Sequence, residues 1–359
     1  GYMFRKNPDE VYIIAEIGQN HNGDINICKK LIDQLIVYSY DEITGDRLNT
    51  INAIKLTKRD MSEELTTEQM NRPYDSNHSF GKTYGEHREF VELTYEEHCE
   101  ISDYVRSRGI DFIDTLCSPK CVDLVDMTTI DKIKIASRDL TNIPLLERVA
   151  ETGLDVIIST GMSGLDELVE ALNILDTGEN EISILHCLSQ YPAQYDKINL
   201  LSIQDLKNRF GGLHKIGYSD HSIGNHIPLA AVAMGAEIIE KHVTLDRNMK
   251  GTDQAGSSEP QEMKELVHNI RTFEMSRGTF GTFKDESTNL ASEKLERSLA
   301  TNQELFEGNI ITADEIHMLS PGDGLKWSDL DKVIGKTLRK DLLKNTLIKL
   351  EDLTDEIIY

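Results

Sequence analysis

Between Val11 and about Gly278 the chain alternates short β-branched runs with longer amphipathic ones, and this alternation constrains the fold more than any other feature of the sequence. The strand-like runs cover residues 11–17, 51–56, 111–115, 132–137, 156–160, 182–188, 214–219 and 237–243. A strand followed by a helix that returns the chain to a parallel neighbour is a βαβ unit, and eight strands in such a series predict a closed (β/α)8 barrel over residues 1–278. Local signals agree with the global pattern. Thr94-Tyr-Glu-Glu97 has the form of a capping box and should open a helix running towards Gly109, where glycine is a natural stop.

One connection is longer than the rest. Residues 57–93 form a polar excursion that includes Asn71-Arg-Pro-Tyr-Asp-Ser-Asn-His-Ser-Phe-Gly-Lys-Thr-Tyr-Gly-Glu-His-Arg88. A loop of this size after a barrel strand belongs to the face on which barrel enzymes carry their chemistry. Arg72, Tyr84, His87 and Arg88 are therefore candidate substrate contacts, the alternative being a loop folded on itself. Residues 279–295 are polar and aperiodic and read as a linker. Residues 296–359 carry short strand-like runs around Ser320-Pro-Gly-Asp-Gly324 and read as a small β-rich domain, whose modest core should lean on a partner surface.

Charge narrows the partners. The 38 basic and 62 acidic side chains give a formal charge of −24, which repels nucleic acid and anionic membrane from most of the surface. An anionic substrate must then meet a local cluster of cations and hydroxyls. No stretch approaches the roughly 20 apolar residues of a membrane span, and no charged-then-apolar signal peptide is present, so a cytoplasmic location is expected. Cys28, Cys99, Cys117, Cys121 and Cys187 are odd in number and lie mostly in apolar or helical patterns, which favours reduced thiols over disulfides.

In such a barrel the residues at the strand ends converge on one mouth. Here they are Glu16 with Asn20 and His21, Lys55, Thr115, Lys134 with Ser137 and Asp139, Ser159 with Thr160, His186 with Ser189 and Tyr191, Ser219 with His221, and His242. His221 ends Lys215-Ile-Gly-Tyr-Ser-Asp-His221 and His242 ends Glu237-Ile-Ile-Glu-Lys-His242, so two imidazoles should emerge at the same ends of neighbouring strands. Neutral imidazoles beside open positions suit a catalytic Mn, Fe or Zn ion, and a pair of hydrogen-bonded rim histidines is the bland alternative. Lys55 and Lys134, inward-facing among hydroxyls, form a candidate anion site, with a structural ion pair as the alternative. Glu16, Asp139 and Asp253 are available for proton transfer or for sugar hydroxyls. No Ser-His-Asp set, Walker loop or Gly-rich dinucleotide fingerprint occurs.

Ala15-Glu-Ile-Gly-Gln-Asn-His-Asn-Gly23, Lys132-Ile-Lys-Ile-Ala-Ser137, Ile158-Ser-Thr-Gly-Met162, His186-Cys-Leu-Ser-Gln-Tyr-Pro192, Gly217-Tyr-Ser-Asp-His221, Ile239-Glu-Lys-His-Val243 and Gly251-Thr-Asp253 follow one another along the barrel. In this order they resemble the sialic acid synthase family, which condenses phosphoenolpyruvate with an acylated amino sugar to give nine-carbon α-keto acids. The small domain resembles that family's C-terminal antifreeze-like (SAF) module. The resemblance implies that Lys55, Thr115, Lys134, Ser137, Ser159 and Ser219 hold phosphoenolpyruvate, with Ser189 in a slot where the family often has Asn. It implies that His221 and His242 bind Mn2+, or alternatively Mg2+ or Co2+, and that Glu16, Tyr191 and Asp253 address the sugar. Asp139 falls where the family commonly has Glu, a shorter carboxylate in the same catalytic position. It further implies a domain-swapped homodimer, in which an Arg before Pro-Gly of the SAF module reaches the neighbouring subunit's sugar; here that position is Ser320. The expected activity is thus a metal-dependent synthase acting on an N-acetylmannosamine-like acceptor. A diacetamido-trideoxyhexose acceptor, giving legionaminate or pseudaminate, is the nearest rival, and a non-catalytic sugar-phosphate binder or a metal-dependent hydrolase would be different classes.

Overall fold

Eight parallel strands close into a barrel in the computed structural model, which describes residues 10–359; residues 1–9 lie outside the described residues. The strands are β1 (Tyr12–Gly18), β2 (Ala53–Lys58), β3 (Asp111–Leu116), β4 (Lys132–Ile135), β5 (Val156–Ser159), β6 (Ile182–Cys187), β7 (Ile216–Asp220) and β8 (Ile238–His242). They pair in chain order, and β8 closes on β1 with Glu16 opposite His242. Every strand expected from the sequence forms. The fourth ends early, because Ser137–Asp139 turns into a short 3-10 helix.

Helices wrap the outside: α1 (Ile25–Leu35), α2 (Tyr95–Arg106), α3 (Ile143–Glu151), α4 (Leu165–Leu175), α5 (Leu201–Phe210), α6 (His226–Ala233) and α7 (Pro260–Arg277). The capping box of α2 is present, with the Thr94 hydroxyl accepting the Glu97 N–H at 3.0 Å and the Glu97 carboxylate accepting the Thr94 N–H at 3.0 Å. The long excursion after β2 folds into short helices at Met61–Glu64, Thr67–Met70 and Tyr84–Phe90. Among the described residues no helix is long and apolar enough to cross a membrane.

Alternation along the strands divides the barrel into an outer apolar sleeve and an inner stack. Ile13, Ala15, Ile17, Ile133, Ile135 and Ile239 face the helices in the large core. Ile14, Ala53, Ile113, Ile157, Leu185 and Ile238 form a separate buried layer inside the barrel. Burying each of the larger ones stabilises the fold by about 1.5–3 kcal/mol. Gly217 completes that layer, since a Cβ there would lie 2.4 Å from the Ile238 carbonyl oxygen and 2.7 Å from Leu185. Two residues further along each strand the interior turns polar, and this step creates the site.

The first compact unit ends at Gly278 and the second spans Thr279–Tyr359. The second unit contains a helix at Asn289–Leu295, within the stretch read as a linker, and two antiparallel pairs, β9 (Ser298–Thr301) with β10 (Ile316–Leu319) and β11 (Thr337–Leu338) with β12 (Leu353–Thr354). Its own core gathers Leu299, Ile311, Val333, Leu338 and Ile348.

Candidate active site

Above the apolar layer lies a ring of buried polar groups from different strands. Lys55 on β2 donates to Thr115 Oγ1 on β3 at 2.6 Å and stands 2.7 Å from Glu16 Oε2 on β1. Glu240 on β8 lies between the lysines, its Oε2 3.6 Å from Lys55 Nζ and 3.4 Å from Lys134 Nζ, while Ser219 Oγ donates to its Oε1 at 2.8 Å. Ser159 Oγ on β5 is buried without a hydrogen-bond partner. A buried hydroxyl left so is costly, and a ligand oxygen would satisfy it. Beside it, Ser137 and Ser189 approach each other at 3.1 Å between hydroxyl oxygens, and Gly161 leaves room for this, since a Cβ there would lie 2.3 Å from Ser189 Oγ.

The charges in this ring oppose one another. Burial raises the Glu16 carboxyl to about 7, with Lys55 acting against the rise and Glu240 adding to it. Burial alone would raise Glu240, but Lys134 and Lys55 outweigh it and hold Glu240 well below the ordinary carboxylate range. Burial also pulls Lys134 down from its ordinary value, only partly offset by Glu240. Glu16 is therefore the group poised to exchange a proton near neutrality.

The ion pairs revise one expectation. The sequence alone sets a ligand role for the lysines against a structural pair, and the structure gives them protein counter-charges in Glu16 and Glu240. Glu240 is the site residue that the sequence analysis omits. The signal for it is the strand period: if His242 faces inward at the end of β8, Glu240 two residues earlier must do the same.

His221 and His242 stand together on the rim, their ring centroids 5.3 Å apart, with the Tyr191 ring 4.0 Å from His221 and 5.7 Å from His242. His221 Nδ1 lies 2.7 Å from the Leu188 carbonyl oxygen, so Nδ1 carries the proton and Nε2 keeps its lone pair. Burial first, and then His242, lowers the His221 pKa to about 4, and burial lowers that of His242. Two neutral imidazoles, one fixed in its tautomer by a backbone carbonyl, have the chemistry of divalent-metal ligands. Among the described residues no group of three or more His, Cys, Asp or Glu side chains assembles around one point, so an ion here would draw its remaining ligands from water or substrate.

The turn carrying His221 is fixed from behind. Lys241, facing outward from β8, donates to Asp220 Oδ2 at 2.6 Å and to the carbonyls of Ser222 and Gly224 at 2.9 Å each. Tyr218 and Ser222 donate to the other Asp220 oxygen at 2.8 Å and 2.6 Å.

Other candidates sit further away. Asp139 is held beside Arg138, at 3.6 Å, in a group that includes Glu64 and Cys117, and among the described residues it forms no ion pair with Lys55 or Lys134. Asp253 is exposed on the loop after β8, close enough to act electrostatically on His242. His186 faces away from the mouth, bonding the Ile198 carbonyl oxygen at 2.7 Å, because β6 turns Cys187 inward and its neighbour outward. Asn20 donates to the Val243 carbonyl and to Ser257, and Thr160 to the Leu185 carbonyl, so both tie backbone together. His21 is fully buried behind the strand ends.

Comparison with known proteins follows the same lines. A model of the NeuB family matches residues 48–281, and a model of the SAF domain matches residues 296–354. The chain is 32% identical to N-acetylneuraminate-9-phosphate synthase of Homo sapiens, over 96% of this chain and 92% of that protein. It is 34% identical to N,N'-diacetyllegionaminic acid synthase of Campylobacter jejuni, over 94% of this chain and 98% of that one. The crystal structure of N-acetylneuraminic acid (sialic acid) synthetase from Leptospira borgpetersenii, in complex with citrate, superposes with a TM-score of 0.64 at 32% identity, covering 79% of this chain and 90% of that one.

Proposed function

The chain belongs to the NeuB family and carries a SAF domain, and on that premise we propose that it condenses phosphoenolpyruvate with an N-acylated amino sugar to give a nine-carbon α-keto acid and phosphate. The observation that carries this reading is the buried ring: two lysines, the unpartnered Ser159 hydroxyl and a proton-exchanging Glu16, beneath a pair of neutral histidines. Lys55, Lys134, Thr115, Ser159 and Ser219 hold the phosphate and carboxylate of phosphoenolpyruvate, with Ser137 and Ser189 at its edge. Tyr191 and Asp253 receive the sugar.

His221 and His242 would hold a divalent ion, Mn2+ by preference, and its chemistry would be to stabilise negative charge building on the aldehyde oxygen of the open-chain sugar. C3 of phosphoenolpyruvate attacks the aldehyde carbon, forming the C–C bond, and the aldehyde oxygen takes up a proton. Water adds to the cationic C2 and loses its proton to Glu16, whose pKa of about 7 suits that transfer. The tetrahedral centre then collapses to the ketone as the C2–O bond breaks, the proton of its hydroxyl passing to the departing phosphate. Asp139, paired with Arg138, serves the acceptor side.

Phosphoenolpyruvate labelled with 18O at the bridging oxygen tests this path directly. Release of labelled phosphate in the presence of Mn2+ and N-acetylmannosamine, or a diacetamido sugar, is expected; label retained in the keto acid would sink it. His221→Ala should abolish turnover and Mn2+ binding while leaving phosphoenolpyruvate binding within about threefold, which a sugar-phosphate binder would not show. The named relatives differ in acceptor, and one is named for a product phosphorylated at C9. We assign the working form as a homodimer, following the resemblance of the SAF domain.

A further inference from the structure

Two motifs far apart in the sequence, Ala15–Gly23 and Gly251–Asp253, meet at the loop that follows β8. That loop, residues 244–258, leaves the barrel at His242 and returns to it: the Ser258 N–H donates to the His242 carbonyl at 2.9 Å and the Thr244 N–H to the Ser258 carbonyl at 3.0 Å. A loop whose ends are tied together is packed by its own side chains, and here Gln254 fills it. Gln254 is 0% exposed. Its Oε1 accepts from the Thr244 hydroxyl, and its Nε2 donates to the Asn20 carbonyl at 3.0 Å and to Asn22 Oδ1 at 3.2 Å. The amide thus spends its oxygen on its own loop and its hydrogens on the loop after β1.

The backbone around Asp253 is held by the same frame. Asn20 Nδ2 donates to Ser257 Oγ at 3.0 Å, and Ser257 Oγ donates in turn to the Asp253 carbonyl at 2.7 Å. Asn22 Nδ2 donates to the Lys250 carbonyl at 2.9 Å, on the other side of Asp253. Gly251 lets these groups close up, since a Cβ there would lie 2.9 Å from Gln254 Cγ and 3.1 Å from Asn22 Oδ1, and its φ of +146° is one that residues with side chains rarely adopt. Asp253 itself is exposed, and its carboxylate is near enough to Tyr191 and His242 to act on both electrostatically.

We propose that Gln254 is a positioning residue for the acceptor: through Asn20 and Asn22 it fixes the loop after β8 so that the Asp253 carboxylate stands ready for the sugar, and it touches no substrate itself. This rests on the condensation reading given above. A carboxylate on a free loop would lose much of its binding energy in being ordered, and a buried amide with its hydrogen bonds made removes that cost before the sugar arrives.

Phosphate release from phosphoenolpyruvate, with N-acetylmannosamine and with a diacetamido sugar, would be measured for the full chain as wild type, Asp253→Ala, Gln254→Leu and the double variant. Gln254→Leu is close in volume but removes every hydrogen bond of the amide. It should raise KM for the acceptor about tenfold while KM for phosphoenolpyruvate stays within about threefold of wild type. Because Gln254 acts through Asp253, the double variant should be no worse than Asp253→Ala alone, whereas a merely structural role would make the two losses add. Ser257→Ala, which removes only the hydroxyl on the Asp253 carbonyl, should shift the acceptor KM in the same direction, and it carries the test where Gln254→Leu does not fold. An unchanged acceptor KM in the folded variant, an equal rise in both KM values, or additive losses would overturn the proposal and leave the condensation intact. A wild-type acceptor KM in Asp253→Ala would do the same. If wild type releases no phosphate with any acceptor, both readings fall.

Discussion

At the scale of single residues, Glu240 is the balance point of the site. It is the carboxylate beside Lys134 and shares Lys55 with Glu16, so Glu240→Gln should destabilise the substrate-free protein by roughly 3 kcal/mol, the cost of breaking a buried pair. Phosphoenolpyruvate would then replace part of the missing negative charge, and its stabilising shift in Tm should exceed that of wild type. An equal or smaller shift would show that the lysines do not face the ligand. His21 gives a pH signature of a different origin. Burial first, and then His98, lowers its pKa to about 3, so the folded chain refuses a proton that the unfolded chain accepts below about 6.5. The unfolded state binds more protons in that window, and stability falls as pH drops from about 6.5 towards 3. The loss should reach about 2–3 kcal/mol by pH 4.5, read from urea unfolding, and His21→Gln should flatten the slope between pH 7 and 4.5.

At the scale of elements, the end of β7 shows how a strand positions chemistry that it does not itself perform. Period-two alternation sends Ser219 and His221 to the mouth and Asp220 to the rear, where Lys241 from β8 binds it together with two carbonyls of the following turn. Asp220→Ala should cost about 3–5 kcal/mol because it leaves a buried ammonium unpaired. It should also weaken Mn2+ binding, since the His221 turn loses its anchor; a variant that melts normally and binds Mn2+ normally would remove Asp220 from this role. The strand pattern and the Thr94 cap are legible in sequence because they depend on neighbours within a few residues. His186 shows the limit of that reading: its place in a conspicuous motif suggests the mouth, but the pleat turns it to the rear.

For the whole molecule, the homodimer assignment predicts a solution mass of twice the 40.6 kDa chain by light scattering, unchanged by modest salt. A mass of one chain at micromolar concentration would reject it. Ser320 bears on what such a dimer can do, since its hydroxyl donates to the Leu295 carbonyl at 2.8 Å within its own unit and offers no guanidinium to a neighbouring site. The order of eight strands, the extra domain, the inward lysines and the rim histidines were determined by the sequence itself, because hydrophobic period and strand-end position are local properties of the chain. Only the tertiary structure decided that Glu240 stands between two lysines from other strands, that Asp139 keeps to Arg138, and that Arg88 is buried over the Tyr84 ring. The first of these depends on the distance between side chains about a hundred or more residues apart in the sequence, which barrel closure sets and no local pattern encodes.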